Sequence, residues 1–176
     1  MAAEQFSSAA EASAFFRQFG GTDFSCLEHH FSRFRATADE MVVESPPPTH
    51  PRVLDIGAHW LHQAALLWAA DFDVTAVDLP DTLETEWVRA AAARMRVPLV
   101  SVRDLSEPIE LAGFPDDSFD LVLFSEIIEH ITFNPARFWS EIYRLLRPGG
   151  RIIVTTPNYY GAQSSSRWNA TTLPCP

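Results

Sequence analysis

The sequence contains little cysteine and no long apolar run. Cys26 and Cys175 are its only cysteines among 176 residues, too few for a disulfide framework, so a reducing, cytoplasmic setting is the default. Residues 1–10 lack the basic start and apolar stretch of a signal peptide. The longest apolar run, Ala64 to Ala70, is too short to cross a bilayer. We therefore expect a cytoplasmic domain without a membrane partner.

Positive charge is also scarce. Lysine and arginine together number 13 against 23 acidic residues, which gives a formal net charge of −10. Such a surface repels nucleic-acid backbones and anionic membranes, so we expect no nucleic-acid partner. The content of 47% hydrophobic and 20% charged residues is that of an ordinary globular chain. At this length it predicts one domain with a substantial core.

The chain divides into three stretches. Residues 1–48 predict an arm of two helices, which begin at the capping boxes Ser8 to Glu11 and Ser25 to Glu28. The proline-rich linker Pro46 to Pro48 follows them. Residues 49–158 alternate apolar strands with helices; among them are a helix predicted over about Leu83 to Met95 and a strand over Phe119 to Ser125. Continuous apolar strands indicate a parallel sheet covered on both faces. Residues 159–176 read as an irregular tail. The arm has two interpretations, a packing appendage or a lid over a ligand, and the sequence leaves both open.

The central feature is an apolar strand, Val53 to Ile56, that runs into Gly57 and then into a helix. In doubly wound α/β proteins this junction binds nucleotide-like ligands. Three acids, Asp78, Asp104 and Glu126, follow other strand ends, and such ends open into one crevice. Asp78 lies 21 residues beyond Gly57, a spacing typical of an acid that accepts hydrogen bonds from both ribose hydroxyls.

Several segments between Arg52 and Asn158, in order and at matching spacing, resemble the motifs of class I S-adenosylmethionine-dependent methyltransferases. They are Val53-Leu54-Asp55-Ile56-Gly57, Val77-Asp78, Phe114 to Asp120, Glu129-His130 and Leu145 to Gly150. The resemblance implies an α/β, Rossmann-like, doubly wound, mostly parallel sheet with S-adenosylmethionine as the cofactor. It also implies transfer of a methyl group from the sulfonium to a nucleophilic acceptor atom.

The resemblance assigns four positions to the methionine half of the cofactor and to the acceptor. Asp55 and Gly57 would shape the loop around the methionine part. Ser125 and Glu126 would lie near the sulfonium and the acceptor.

Residues after the second and third strands would bind the other half of the cofactor, its ribose and adenine. By the same resemblance, Asp78 would bind the ribose hydroxyls and Leu79 would contact the adenine. Asp104 would meet the adenine amino group, and Leu105 its ring.

The segment after the fourth strand indicates the kind of acceptor. Enzymes that methylate planar amide or base nitrogens carry an Asp/Asn-Pro-Pro-Tyr/Phe signature there, whereas this chain has Ser125-Glu126-Ile127-Ile128. We therefore expect a small-molecule or sugar-type acceptor, with Glu126 and His130 as candidate catalytic residues.

Metal binding is the alternative role for this segment. Glu126, Glu129 and His130 have the Glu-x-x-Glu-His spacing that holds a divalent ion in some methyltransferases. The simpler interpretation is that Glu129 bonds to backbone and His130 packs. A further ligand usually follows the fifth strand, but no histidine occurs after Asn158, so no metal is expected.

The first loop departs from the family pattern. Where Gly-x-Gly-x-Gly is usual, this chain has His59 and Leu61 in place of the second and third glycines. Three consequences are open: the loop moves outward, His59 contacts the methionine carboxylate, or cofactor binding is lost. Loss of binding would make the chain a non-catalytic pseudo-methyltransferase that serves as a binding or assembly subunit.

The second departure lies after the fifth strand. The family fold normally continues with a helix and an antiparallel strand pair, and the residues from Asn158 to Pro176 are too few for both. A fold truncated there would leave the fifth strand with an open edge. The chain would then be a fragment, a degenerate relative, or a protein whose edge is covered by a second copy or a partner. We expect a homodimer or a partner contact if the chain is complete.

Overall fold

A six-stranded sheet organises the computed structural model, which describes residues 6–44, 50–157 and 171–174. In chain order the strands are β1 (Arg52–Ile56), β2 (Asp73–Asp78), β3 (Leu99–Ser101), β4 (Phe119–Ser125), β5 (Leu146–Thr155) and β6 (Thr171–Pro174). Their spatial order is β3-β2-β1-β4-β5-β6, with β1 to β5 parallel and β6 antiparallel to β5. The predicted α/β, mostly parallel sheet is confirmed.

Helices connect the strands. They are α1 (Ala9–Arg17), α2 (Ser25–Glu44), α3 (His62–Ala69), α4 (Pro80–Leu83), α5 (Glu86–Met95) and α6 (Ala136–Leu145), with two 3-10 turns at Ile109–Gly113 and Ile128–His130. The single helix predicted over 83–95 is two helices, because the chain leaves helical geometry between α4 and α5, at Thr85 (ψ 130°). Within the described ranges, no helix is both long enough and apolar enough to span a bilayer.

The two arm helices begin by different devices. At α1 the Ser8 hydroxyl accepts the Glu11 N–H at 3.3 Å, as the predicted capping box requires. At α2 the expected box does not form. The Asp23 carboxylate instead accepts from both the backbone N–H and the hydroxyl of Ser25, since an ionised side chain just before the helix is the stronger acceptor.

Alternate residues of the central strands face the two halves of the core. Val53 and Leu121 point to a cluster that also contains α3, α5 and both arm helices. Leu54 and Val122 point to a second cluster, closed by α6. Phe16 of α1 is fully buried in the first cluster, so the arm shares the hydrophobic core of the sheet.

The C-terminal stretch differs from the prediction. Residues 171–174 form β6, which pairs antiparallel with β5 from Arg151 to Val154. The irregular-tail prediction is therefore wrong at these four residues, and β5 is not the exposed edge that was expected. The dimer expectation loses that support and stays a prediction. The linker Pro46 to Pro48 and residues 158–170 lie outside the described residues.

Candidate functional site

A cavity of about 310 Å³ lies where β1, β2 and β4 end. It is lined by most of the predicted site residues: Asp55, Gly57, His59, Asp78, Ser125, Glu126 and His130. Helix α2 of the arm supplies part of the wall through Cys26, Arg33 and Phe34. The arm is thus both packed on the core and part of the site, and its role as a lid stays a prediction.

The structure places three predicted cofactor residues away from the cavity lining. Leu79 is 55% exposed, Asp104 is exposed and Leu105 is half-buried. Asp104 turns back on its own loop, where hydrogen bonds from the hydroxyl and the backbone N–H of Ser106 lower the pKa of its carboxyl. Their adenine roles stay predictions.

Gly57 occupies a position that no other residue fits. Its φ is +80°, in the left-handed region that favours glycine. A Cβ built on it would lie 2.3 Å from Cδ1 of Ile127. Its N–H donates to the carbonyl of Val77 at 2.8 Å, so the turn is tied to the end of β2.

His59 and Leu61, at the second and third glycine positions of the family pattern, both adopt left-handed backbone conformations. Their φ angles are +47° and +64°, which cost about 1–2 kcal/mol for each L-residue. The His59 N–H donates to the Asp78 carboxylate at 2.6 Å, while Leu61 is fully buried and donates to the Ala58 carbonyl. A hydrogen bond and core burial offset this strain, so the loop holds positive φ at both positions without glycine.

The imidazole of His59 projects beside the cavity. Its ring lies 4.4 Å from the Trp60 ring, centroid to centroid, and the residue is exposed. Partial burial lowers its pKa, and the nearby Asp78 carboxylate opposes that shift. The side chain is therefore a neutral group at the rim rather than a plug inside the core.

Asp78 is held in place by backbone donors. One carboxylate oxygen accepts from the His59 N–H, and the other accepts from the Leu79 N–H at 2.6 Å. Each oxygen retains a further lone-pair direction. The residue is half-buried and lines the cavity, so it can accept hydrogen bonds from a ligand diol.

Asp55 is the buried acid of the site. It is 1% exposed, and its Oδ2 has no hydrogen-bond partner among the described residues. Burial, with a smaller contribution from the charge of Asp78, raises its pKa to about 7. An unsatisfied carboxyl of this kind favours a cationic or donor-rich ligand group.

Glu126 is fixed by contacts from two sides. Arg33 of α2 forms an ion pair with it at 2.7 Å, and the Thr155 hydroxyl donates to it at 3.0 Å. Burial raises the pKa of Glu126, while Arg33 and Thr155 act in the opposite direction. Its φ of +56° is an unusual conformation of the kind found at functional sites.

Sequence reasoning missed Arg33. The residue is 8% exposed and precedes Phe34 on the buried side of α2. Its helical position lies outside the apolar stripe of the sequence, so no local signal marked it as buried. The partner Glu126 is distant in the sequence and only the fold brings it near.

The candidate metal ligands are separated in the structure. Glu126 is engaged by Arg33, and Glu129 accepts a long hydrogen bond of 3.4 Å from the Thr156 hydroxyl. His130 ends the short turn Ile128–His130 and is exposed. Across residues 6–44, 50–157 and 171–174 no group of three or more His, Cys, Asp or Glu residues is arranged to hold an ion.

Comparison with protein families decides the relationship. A family model described as Methyltransferase domain matches residues 54–154, more than half of the chain. The chain belongs to this family. The resemblance to class I S-adenosylmethionine-dependent methyltransferases is thereby confirmed. The match runs from the third residue of β1 to the penultimate residue of β5 and includes the ends of β1, β2 and β4, which line the cavity.

The names of individual relatives agree with this family assignment. A probable S-adenosylmethionine-dependent methyltransferase of Mycolicibacterium smegmatis is 40% identical over 78 residues, 43% of this chain and 28% of that protein. A Mycobacterium tuberculosis protein of the same description is 33% identical over 114 residues, 65% of this chain and 38% of that protein. This methyltransferase domain therefore spans well under half the length of either relative.

A solved structure shows the same fold. It is phosphoethanolamine N-methyltransferase 2 of Haemonchus contortus, in complex with phosphomonomethylethanolamine and S-adenosylhomocysteine. The TM-score is 0.58 at 28% identity, over 86% of this chain and 34% of that one.

Proposed function

We propose that this domain binds S-adenosylmethionine in the cavity and transfers its methyl group to a small-molecule or sugar-type acceptor. One observation carries the proposal: Gly57, Asp78 and Glu126, from the ends of three neighbouring strands, line one cavity. This is the arrangement in which open α/β sheets bind their ligands. Family membership supports the choice of cofactor.

The residues present fit this cofactor. Asp78 offers two anchored carboxylate oxygens to the ribose hydroxyls. Asp55 and Asp78 together make the cavity acidic, which suits a cationic ligand. Gly57 keeps the loop close to Ile127 and β2. The Ser125 hydroxyl is bonded to that of Thr155 at 2.7 Å, so the end of β4 is rigid where the acceptor would approach.

The protein's own contribution is alignment, exclusion of water and a base. When bound, S-adenosylmethionine supplies an electrophilic methyl group on sulfur. Phe34 of the arm lines the cavity, and its apolar ring would help to exclude water from the bound ligand. Glu126 takes the acceptor's proton, with Thr155 fixing its carboxylate, while burial raises the pKa of that carboxyl and Arg33 opposes this shift in part. His130 lies at the same cavity and is the second candidate base.

The proposed acceptor class rests on the sequence Ser125-Glu126-Ile127-Ile128 after β4 and on the charge of the chain, rather than on one relative. A Clavibacter sepedonicus demethylmenaquinone methyltransferase is 32% identical over 108 residues, 61% of this chain and 42% of that protein. It and the phosphoethanolamine enzyme are named for quite different acceptors, so neither fixes the acceptor here. The acidity of the chain supports a non-nucleic-acid acceptor. The sparse cysteine content supports a cytoplasmic location.

A non-catalytic binding role is the second candidate. Two observations favour it. His59 and Leu61 replace loop glycines, and Glu126 is already neutralised by Arg33. The two candidates differ first in whether the cavity binds the cofactor at all.

Asp78→Ala tests the pocket. We expect at least a tenfold loss of affinity for S-adenosylhomocysteine in calorimetric titration. Each charge-assisted hydrogen bond contributes about 1.5–3 kcal/mol, and a factor of ten is about 1.4 kcal/mol. The matched control is Asp73→Ala, because Asp73 begins the same strand at its opposite, exposed end. If the wild-type protein gives no heat at millimolar ligand, the binding-subunit role is favoured; equal losses in both variants would place the ligand elsewhere.

His59→Gly tests the altered loop. We expect S-adenosylhomocysteine to bind several-fold more tightly, because glycine adopts φ +47° without strain and removes the ring from the rim. The backbone N–H that bonds to Asp78 is retained. His50→Gly is the control, being another exposed histidine at positive φ, remote from the cavity lining. Weaker binding by His59→Gly would instead identify the imidazole as a ligand contact.

A further inference from the structure

Three side chains at the ends of β4 and β5 form a chain of hydrogen bonds. Oγ of Ser125 lies 2.7 Å from Oγ1 of Thr155, which lies 3.0 Å from Oε1 of Glu126. Ser125 and Glu126 line the cavity, whereas Thr155 is only 2% exposed and contacts both. A buried hydroxyl therefore connects two polar groups of the cavity wall.

The direction of these hydrogen bonds follows from the number of hydrogens. A hydroxyl has one hydrogen to donate, and an ionised carboxylate has none. When Glu126 is ionised, the Thr155 hydroxyl therefore donates to it, and the Ser125 hydroxyl must donate to Thr155. Oγ of Ser125 then presents only lone pairs to the cavity, so it can accept a hydrogen bond from a ligand but cannot donate one.

Both carboxylate oxygens of Glu126 already have partners. Oε1 accepts from the Thr155 hydroxyl, and Oε2 is paired with Nη1 of Arg33 at 2.7 Å. The Glu126 side chain is 18% exposed, so little of it is open to a ligand. A proton can reach this carboxylate through the hydrogen bond from Thr155 without the loss of either contact.

We propose that Ser125 accepts the hydrogen bond of the methyl acceptor and that Thr155 relays the acceptor's proton to Glu126. The acceptor's proton passes to Oγ of Ser125, the Ser125 hydrogen passes to Thr155, and the Thr155 hydrogen passes to Glu126. The acceptor atom forms a bond to the methyl carbon and keeps the electron pair of its bond to hydrogen. The electron pair of the carbon–sulfur bond stays on sulfur. This relay rests on the proposed function, because it requires a methyl acceptor in the cavity.

The relay limits the kind of acceptor atom. An atom that donates to Ser125 carries a hydrogen, as in a hydroxyl or an N–H group, so tertiary amines and thioethers are excluded. Ser125 contacts the acceptor and is the catalytic residue, whereas Thr155 acts through its two neighbours and is a positioning residue. The alternative is a structural role, in which the two hydroxyls only join β4 to β5.

The first measurement follows Glu126 in the protein without ligand. Its carbon-13-labelled carboxyl group, identified by the missing signal in Glu126→Gln, is titrated by NMR spectroscopy. We expect Thr155→Val to raise the pKa of Glu126 by about 1 or more, because a hydrogen bond to the charged form is lost. Thr155→Ser keeps the hydroxyl and should retain the wild-type pKa. Ser125→Ala should raise the pKa by a smaller amount, since a hydroxyl that accepts a hydrogen bond is the stronger donor.

Thr156→Val is the matched control, because the Thr156 hydroxyl bonds to Glu129 rather than to Glu126. It should leave the pKa of Glu126 nearly unchanged. Arg33, which lowers this pKa, and Glu129, which raises it, are present in every variant. The remaining titratable residues that line the cavity are also unchanged: Cys26, Asp55, His59, His62, Asp78 and His130.

The second measurement tests Ser125 toward a ligand and needs no identified acceptor. Two nucleosides are titrated into the full chain by calorimetry. Sinefungin has a carbon-bound ammonium in place of the methylsulfonium of S-adenosylmethionine, and so supplies N–H donors at the position of the methyl group; S-adenosylhomocysteine has no group there. We expect Ser125→Ala to reduce the preference for sinefungin by about threefold or more without weakening S-adenosylhomocysteine. A structural role would weaken both nucleosides together.

The two measurements separate failure of the relay from failure of the proposed function. If the pKa of Glu126 in Ser125→Ala equals the wild-type value or lies below it, the relay is overturned, because Ser125 does not donate to Thr155. A preference for sinefungin that does not depend on Ser125, with both nucleosides bound, would overturn the relay and leave the proposed function standing. If neither nucleoside binds to any of the proteins, the proposed function fails and the relay fails with it.

Discussion

Gly57→Ala is expected to destabilise the domain by about 2–5 kcal/mol and to abolish detectable binding of S-adenosylhomocysteine. The new Cβ would lie 2.3 Å from Cδ1 of Ile127, and such overpacking costs about 1–3 kcal/mol. The φ of +80° adds about 1–2 kcal/mol for any L-residue. Relief of either strain moves the loop away from β2 and from Asp78. Urea unfolding measures the first effect and calorimetry the second.

Two companion variants separate the causes. Gly113→Ala introduces the same methyl group where no atom lies within 4 Å, and we expect it to change neither stability nor binding appreciably. Ile127→Ala combined with Gly57→Ala removes the clash but leaves the strained φ. The double variant should therefore unfold at higher urea concentration than the sum of the two single effects predicts. Strict additivity would mean that Ile127 is not what excludes a side chain at position 57.

The sheet could be predicted because its signals are local. The strand β4 was predicted at its observed bounds, since a turn rich in proline and aspartate precedes a continuous apolar run. Continuous apolar strands separated by helices leave few topologies other than a covered parallel sheet. The position of Gly57 and Asp78 at one crevice follows from that topology, because parallel strands end on the same side.

The remaining features depend on contacts between distant residues. Strand β6 has only four residues and no strong local signal, and it forms only because β5 offers an edge to pair with. The Arg33 to Glu126 ion pair joins the arm to the end of β4, a proximity that no local pattern specifies. Asp104 follows a strand as Asp78 does, yet its carboxyl bonds to Ser106 instead of facing the cavity. A position directly after a strand end therefore predicts that a residue lies near the crevice, but it does not predict that the side chain points into it.

The buried pair Asp55 and His62 should give the free protein opposing pH dependences. Burial raises the pKa of Asp55 from 3.8 to about 7, with Asp78 adding to the effect. The folded state then binds a proton that the unfolded state lacks, so stability falls as pH rises from about 4 to 7. The difference of about 3 between the two pKa values corresponds to at most about 4 kcal/mol.

His62 gives the opposite dependence of stability on pH. Burial, with a smaller effect of His59, lowers its pKa from 6.5 to about 4. The unfolded state now binds the extra proton, so stability is lost as pH falls from about 6.5 to 4, by at most about 3 kcal/mol. Between these limits the two contributions nearly cancel, and they should leave the ligand-free wild-type protein with a flat stability profile in this window.

In Asp55→Asn, the pH dependence that His62 contributes to stability should no longer be cancelled by Asp55. We expect its free energy of unfolding to rise from pH 4 to 6.5 and to exceed that of the wild type by up to about 4 kcal/mol at pH 8, because asparagine carries no charge to bury. For His62→Phe, the free energy of unfolding should fall as pH rises from about 4 to 7. For the double variant it should again be independent of pH in this window. Glu126, whose pKa is also shifted at this cavity, is common to all four proteins, so differences between urea-unfolding profiles isolate the pair. Parallel profiles for the wild type and Asp55→Asn would mean that the Asp55 carboxyl is already satisfied in the folded protein.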